Sequence, residues 1–318
     1  MKKIFNLLVL LNLSFYTINA LSALTVAQTD ALVESCKQGD QLSVQTLISE
    51  AKQGDVNGQF ALGFIYDVGF GVPQDFKKSV NWYLKAAEQG HAGAQLNLGG
   101  IEYTKRDFVK AIDWYLKAAE QGNADAQFNL GVMHRNGQGV PLNHTKAVDW
   151  YRKAAEQGGA RGQINLGAMY KNGLGVPQDF AEAVNWFRKA AEQGFPEAQY
   201  NLGGMYESGQ GVAQDFSEAV NWFRKAAEQG HTSARGKLAR SYENGQGVPQ
   251  LRVPAYALYS TIPNNKIARE YLKSLSEKME PEEISMANTL RLQMLQKGNF
   301  LSALDKYVAE PLVKEKAR

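Results

Sequence analysis

The chain has 318 residues, with 35 Lys and Arg against 32 Asp and Glu, one cysteine and a mean hydropathy of −0.38. Basic and acidic side chains alternate along every helical segment, which argues against nucleic acid, since its binders concentrate positive charge on one face. A lone Cys36 excludes an intramolecular disulfide, so stability rests on packed helices.

Residues 1–20 begin with Lys2 and Lys3, run through the apolar stretch Ile4–Ile18 and reach the small residues Ala20 and Ala23. This pattern reads as a secretory signal cleaved after Ala20 or Ala23. Its apolar part is shorter than the ~20 residues of a membrane span, and Val33-Glu34-Ser35 before Cys36 is not a lipid-attachment setting. The expectation is an exported chain without a transmembrane segment, periplasmic or secreted from a bacterial cell. Removal of residues 1–20 leaves 33 basic against 32 acidic side chains.

Residues 24–54 are expected to form N-terminal capping helices, a short one over Asp30–Lys37 and a second over Gln41–Gly54. Residues 55–250 are a repeat array. The stretch Asn185–Gly194 returns letter for letter at Asn221–Gly230, and Trp falls at 82, 114, 150, 186 and 222, so the steps are 32, 36, 36 and 36 residues. Steps of this size belong to helical solenoids. Each unit of a solenoid packs mainly on its neighbours, so binding along an extended surface is the expected activity, not chemistry in one deep pocket.

One unit, Phe195–Gly230, shows how a repeat is built. Ala198, Leu202, Met205 and Tyr206 share one face of a first helix. Gly209 and Gly211 break it, and sister units read Gly-Val-Pro at 71–73, 139–141, 175–177 and 247–249, which predicts a tight loop. Asp215 with Glu218, like Asp179 with Glu182, has the spacing of a capping box. The second helix carries an apolar stripe of Phe216, Ala219, Val220, Phe223, Ala226 and Ala227 and ends at Gly230. The Gly of each Leu-Gly pair (Leu98-Gly99, Leu130-Gly131, Leu166-Gly167, Leu202-Gly203) is small where two helices cross.

The pattern filled by Ala198–Gly230 and its sisters resembles the Sel1-like repeat, a relative of the tetratricopeptide repeat. The resemblance implies an all-α fold, a right-handed α-solenoid of antiparallel helix pairs. It divides the array into 55–90, 91–122, 123–158, 159–194, 195–230 and a partial sixth unit, 231–250. In the second unit the glycine loop is replaced by a shorter linker between Tyr103 and Phe108. Residues 251–298 resemble the closing helices of such proteins, with Pro281 suited to a helix start, and 299–318 form a polar helix or tail.

Positions identical in every unit serve the scaffold. By this test Trp82, Trp114, Trp150, Trp186 and Trp222 have a packing role in the scaffold, and the Gln series (59, 95, 127, 163, 199) and Asn series (97, 129, 165, 201) satisfy backbone or inter-helix hydrogen bonds. A second row on the first helices varies in bulk: Phe60, Leu96, Phe128, Ile164 and Tyr200, and one turn on Phe64, Gly100, Val132, Ala168 and Gly204. The resemblance places first helices on the concave surface, so this row, with Asp67, Arg135, Lys171 and Glu207, is the candidate groove for a protein or peptide partner. The competing reading is that its apolar members fill the space between repeats.

His91, His134, His144 and His231 are scattered without metal-ligand spacing, so no metal or other cofactor is expected. Some Sel1-like proteins are associated with β-lactam binding, and Ser49-Glu-Ala-Lys52 has the S-x-x-K form without an accompanying S-D-N or K-T-G. Asn143-His-Thr145 is a glycosylation sequon in a eukaryotic secretory host. The expectation is a non-catalytic interaction scaffold acting outside the cytoplasm, in envelope function or host contact. The alternative is a Sel1-repeat protein acting on β-lactams or peptidoglycan.

Overall fold

The structure, a computed structural model, describes residues 23–263 and 265–316, and all regular structure among them is helical. The expected signal at 1–20 lies outside the described residues. The chain forms two compact units, one running to Met133 and including Gly137–Pro141, the other comprising His134–Asn136 and the chain from Leu142 onward.

In the first unit lie α1 (Val26–Lys37), α2 (Gln41–Gln53), α3 (Val56–Val68), α4 (Phe76–Glu88), α5 (Ala92–Thr104), α6 (Phe108–Glu120) and most of α7 (Ala124–Asn136). In the second are α8 (His144–Glu156), α9 (Ala160–Asn172), α10 (Phe180–Glu192), α11 (Pro196–Ser208), α12 (Phe216–Glu228), α13 (Thr232–Asn244), α14 (Arg252–Ser260), α15 (Lys266–Ser276), α16 (Pro281–Met294) and α17 (Phe300–Lys316). The pairs α3/α4, α5/α6, α9/α10, α11/α12 and α13/α14 pack as hairpins, and each second helix packs on the next first helix at α4/α5, α10/α11 and α12/α13. At the start α1 packs on α2 and α3; at the end α14 packs on α15 and α16, and α17 touches α12, α14 and α16.

The second helices of the first five repeats begin at a side-chain cap, whereas α14 follows Leu251 without one. Asp75, Asp107, Asn143, Asp179 and Asp215 accept the backbone N–H three residues on, at 2.9–3.2 Å. Such a cap stabilises a helix by about 1 kcal/mol. The return half of the expected capping box is not made at Asp215, where Glu218 instead accepts from Asn221 Nδ2 at 3.4 Å. The loop before that cap is held from the other side. Gly211 has φ 73°, and a Cβ placed there would stand 2.3 Å from the Phe180 carbonyl oxygen, so the loop of one repeat rests on the first turn of the previous second helix. In the shortened second repeat the turn is made instead by Arg106, with φ 64°.

The aromatic core follows the apolar stripe that holds Phe223. The fully or almost fully buried ring of each second helix is the residue after the tryptophan: Tyr83, Tyr115, Tyr151, Phe187 and Phe223. Tyr83, Tyr115, Phe187 and Phe223 lie against Gly63, Gly99, Gly167 and Gly203, and a Cβ on Gly203 would approach Phe223 Cε1 to 2.7 Å. The tryptophans stand at the boundary. Trp82, Trp114, Trp150 and Trp186 are half-buried and only Trp222 is buried, at 9 % exposure. Trp82 and Trp114 pack against buried clusters of the first unit, and Trp222 joins the cluster of Ile164, Val184 and Leu202. The outer face of every indole is covered by the lysine three residues on, with Nζ 3.9–4.3 Å from the ring centroid. A strict apolar core position would exclude that charge; a boundary position gains from it.

The glutamine series links helices as its uniformity suggests. Gln59, Gln95, Gln163 and Gln199 each donate to the carbonyl eight residues earlier at 3.1–3.3 Å, and each accepts from the Gln that ends the following second helix, Gln89, Gln121, Gln193 and Gln229, at 2.8–2.9 Å. The buried amides are thereby satisfied on both sides, which removes the penalty of burying them.

At the N-terminal end Cys36 is fully buried with Val44, Leu47 and Leu62, and burial pushes its thiol pKa up. Asp55 ties down the chain before α1 by accepting the Leu24 N–H at 2.9 Å. At the C-terminal end Arg224 donates to Asp305, joining α12 to α17.

Candidate functional site

The first helices present the variable row in two places, one in each unit. In the first unit Phe60 and Phe64 on α3 face α1 across a largely apolar cavity of about 340 Å³, completed by Val26, Thr29, Val33 and His91. Phe60 stacks on the His91 imidazole, centroids 4.3 Å apart. His91 also caps α5, its Nδ1 accepting the Ala94 N–H at 3.2 Å. Burial holds the His91 pKa below the ordinary histidine value, partly offset by a backbone hydrogen bond. Asp67, at the end of α3, has its carboxyl pKa raised by burial.

In the second unit Tyr200 on α11 stacks on His231 in the same manner, centroids 4.9 Å apart, and lines a cavity of about 300 Å³ between α11, α13 and the start of α15. Its other walls include Gly236, Lys237, Arg240, Tyr259 and Tyr271. Tyr259 and Tyr271 are stacked at 5.0 Å, and the Tyr259 hydroxyl donates to Glu243 at 3.1 Å. Burial, and then the neighbouring Glu243 carboxylate, push the Tyr259 pKa up, so the phenol stays a donor. Glu207 forms an ion pair with Lys237.

Other members of the predicted row are placed differently. Ile164 is 5 % exposed and belongs to the buried cluster that also holds Val184, Phe187, Leu202 and Trp222. Leu96, Phe128 and Val132 are half-buried on their helices. Arg135 donates to Asn165 Oδ1 at 2.8 Å, so it joins first helices of successive repeats. Lys171 has no ion pair among the described residues, while its backbone carbonyl accepts from Gln178 at 2.9 Å. The same division holds at Asp67 and Glu207, whose carbonyls accept from Gln74 and Gln214. The backbone at this position serves the loop, and the side chain is left to vary.

Three residues of the second cavity, Gly236, Lys237 and Arg240, were not part of the expected row. They stand in the partial sixth unit, which has Leu258 where the 36-residue step from Trp222 would place a tryptophan. Aligning Thr232–Asn244 with Pro196–Ser208 is the signal that finds them.

Nothing in this geometry resembles an activated nucleophile at Ser49. It lies on the exposed face of α2 and its Oγ accepts from Gln53 at 3.1 Å. Among the described residues no group of three or more His, Cys, Asp and Glu side chains is placed to hold a metal ion, and no helix is long and apolar enough to cross a membrane.

Comparison with known proteins agrees with the architecture. The Sel1 repeat family matches at residues 56–91, 92–123, 124–159, 160–195, 196–231 and 233–261, the last match ending just beyond α14. The chain is similar to the crystal structure of a protective antigen present in uropathogenic Escherichia coli strains displaying an SLR fold, with TM-score 0.77 and 35 % identity over 89 % of this chain and 63 % of that one. It is also similar to a Sel1 repeat protein from Oxalobacter formigenes, with TM-score 0.66 and 32 % identity over 76 % of this chain and 97 % of that one. A curated sel1-like repeat-containing protein of Acanthamoeba polyphaga mimivirus is 43 % identical over 56 residues. The match spans 10 % of that viral protein, and the chain spans less than two thirds of the Escherichia coli antigen. With six repeat matches covering most of the described residues, and helix pairs that stack through shared glutamine and glycine contacts, the chain belongs to the Sel1 repeat family.

Proposed function

We propose that this protein is a non-catalytic scaffold that holds a protein or peptide partner on the faces of its first helices, outside the cytoplasm. The observation that carries the reading is the separation of duties within each repeat. Scaffold contacts repeat with nearly the same residues, as in the paired glutamines, whereas the cavities in each unit are lined by positions that differ between repeats in bulk and charge. Repeat arrays present such surfaces to macromolecules. The Lys2-Lys3 start, the apolar stretch and Ala20 support export, and the likeness to a protective antigen of a pathogenic bacterium supports a role in the envelope or in host contact.

The test is affinity capture from the envelope fraction and culture fluid of the source cell with residues 21–318, beside the Lys171→Glu variant. A protein retained by the wild-type chain and lost with the variant supports the reading. Capture of none by a folded chain overturns it. Cell fractionation with an antibody to the chain checks export, and a wholly cytoplasmic signal removes that part.

A further inference from the structure

The sixth repeat departs from its sisters at three neighbouring positions of α13. The bulky series that ends in Tyr200 becomes Gly236, the asparagine series that ends in Asn201 becomes Lys237, and the uncharged series that ends in Gly204 becomes Arg240. All three departures line the same cavity of about 300 Å³. A fourth departure on this helix, Arg235 in place of the scaffold glutamine, has a structural explanation. Its Nε donates to the Ala227 carbonyl at 3.2 Å, as Gln199 donates to Ala191 at 3.3 Å, and its guanidinium lies over the Phe300 ring.

The other three have no counterpart in the scaffold. Glycine weakens a helix interior, and here no close approach requires it, since a Cβ at Gly236 would meet only Ile262 Cδ1 at 3.6 Å. A larger residue fits, and would take up the cavity. Lys237 is neutralised by Glu207, and Glu243 is engaged by the Tyr259 hydroxyl. Arg240 is exposed, makes no hydrogen bond or ion pair among the described residues, and lies near the Tyr259 phenol. Bulk is removed, and at the same place a guanidinium stands without a carboxylate partner.

We infer that the cavity between α11, α13 and α15 is a subsite for a peptide carrying an Asp or Glu side chain next to an apolar one. This rests on the scaffold reading above and names the chemistry of the partner. The planar guanidinium of Arg240 pairs with the carboxylate through two N–H groups. The apolar neighbour lies against the rings of Tyr200, Tyr259 and Tyr271, in space that Gly236 leaves open. The volume suits part of a peptide, at the small end of ligand pockets.

The experiment is panning of a random heptapeptide display library on the folded chain at low ionic strength, followed by binding measurements on the best synthetic peptide. The expected result is enrichment of Asp or Glu beside Leu, Phe or Tyr. That peptide loses about tenfold in affinity with Arg240→Ala, and likewise with Gly236→Tyr, while Gly236→Ala binds as the wild type and none of the three variants melts below it. Retained peptides without acidic enrichment, or undiminished binding to both Arg240→Ala and Gly236→Tyr, overturn the subsite and leave the scaffold reading standing. Retention of no peptide by the wild-type chain overturns both.

Discussion

Gln229, the C-cap of α12, donates its side-chain amide to Gln199 Oε1 at 2.9 Å, while Gln199 donates its own amide to the Ala191 carbonyl at 3.3 Å. One buried side chain of α11 thus joins α10 to the end of α12. Gln199→Leu removes both bonds and leaves the Ala191 carbonyl without that donor. The expected loss is about 1–3 kcal/mol, read as a lower urea midpoint with an unchanged m-value.

Gly203 tests the helix crossing itself. Phe223 lies where a Cβ would be, so Gly203→Ala forces the ring or the helices apart. The expected cost is about 1–3 kcal/mol. If strain is the cause, Phe223→Leu in the same chain recovers part of the loss; a double variant as unstable as the sum of the singles contradicts it.

Acid should weaken the array through His91 and His231. Burial places both pKa values below the ordinary histidine value, with Glu197 partly opposing the shift at His231. Each Nδ1 accepts a backbone N–H at 3.2 Å, and protonation there removes the acceptor. The unfolded chain therefore takes up protons first. The stability contributed by the neutral rings is complete above about pH 6.5 and is lost as pH falls through that value toward the folded pKa. Asn123 shows that an amide serves the same cap, accepting from Ala126 at 2.9 Å. Replacing both histidines with Asn should flatten the melting temperature between pH 7.5 and pH 5.

Arg135 and Lys171 should separate although both belong to the predicted row. Arg135→Glu breaks the bond to Asn165 and lowers the melting temperature, whereas Lys171→Glu leaves it unchanged and weakens partner capture. Equal melting temperatures for the two variants would contradict the structural role of Arg135.

The order of helices and loops was legible because five copies of one pattern reveal which spacings matter. Gly209, Gly211 and Asp215 mark a turn by their chemistry alone, and their repetition fixes its place. Repetition was less informative about depth. The apolar stripe of the second helix holds Phe223 and not Trp222, and the crossing with α11 is the reason: the phenyl ring lies against Gly203 while the indole stays at the boundary under Lys225. Ile164 belongs to a series that varies in bulk, and its burial is set by tertiary packing, which spacing along one helix does not show. Arg240 is harder to read because its unit lacks the repeat ends that fix the register.

The loop glycines carry a consequence for how such a chain changes length. Gly211 rests on the backbone at Phe180, and Gly247 makes the same approach to Phe216, 31 residues back in each case. Whole repeats can therefore be duplicated or deleted in frame, since the new neighbour offers the same backbone to sit on. Changes of a few residues break that register. The shorter second repeat has no glycine loop and turns at Arg106, so in this chain the length of a full-length copy is held by backbone contact while the number of copies is not.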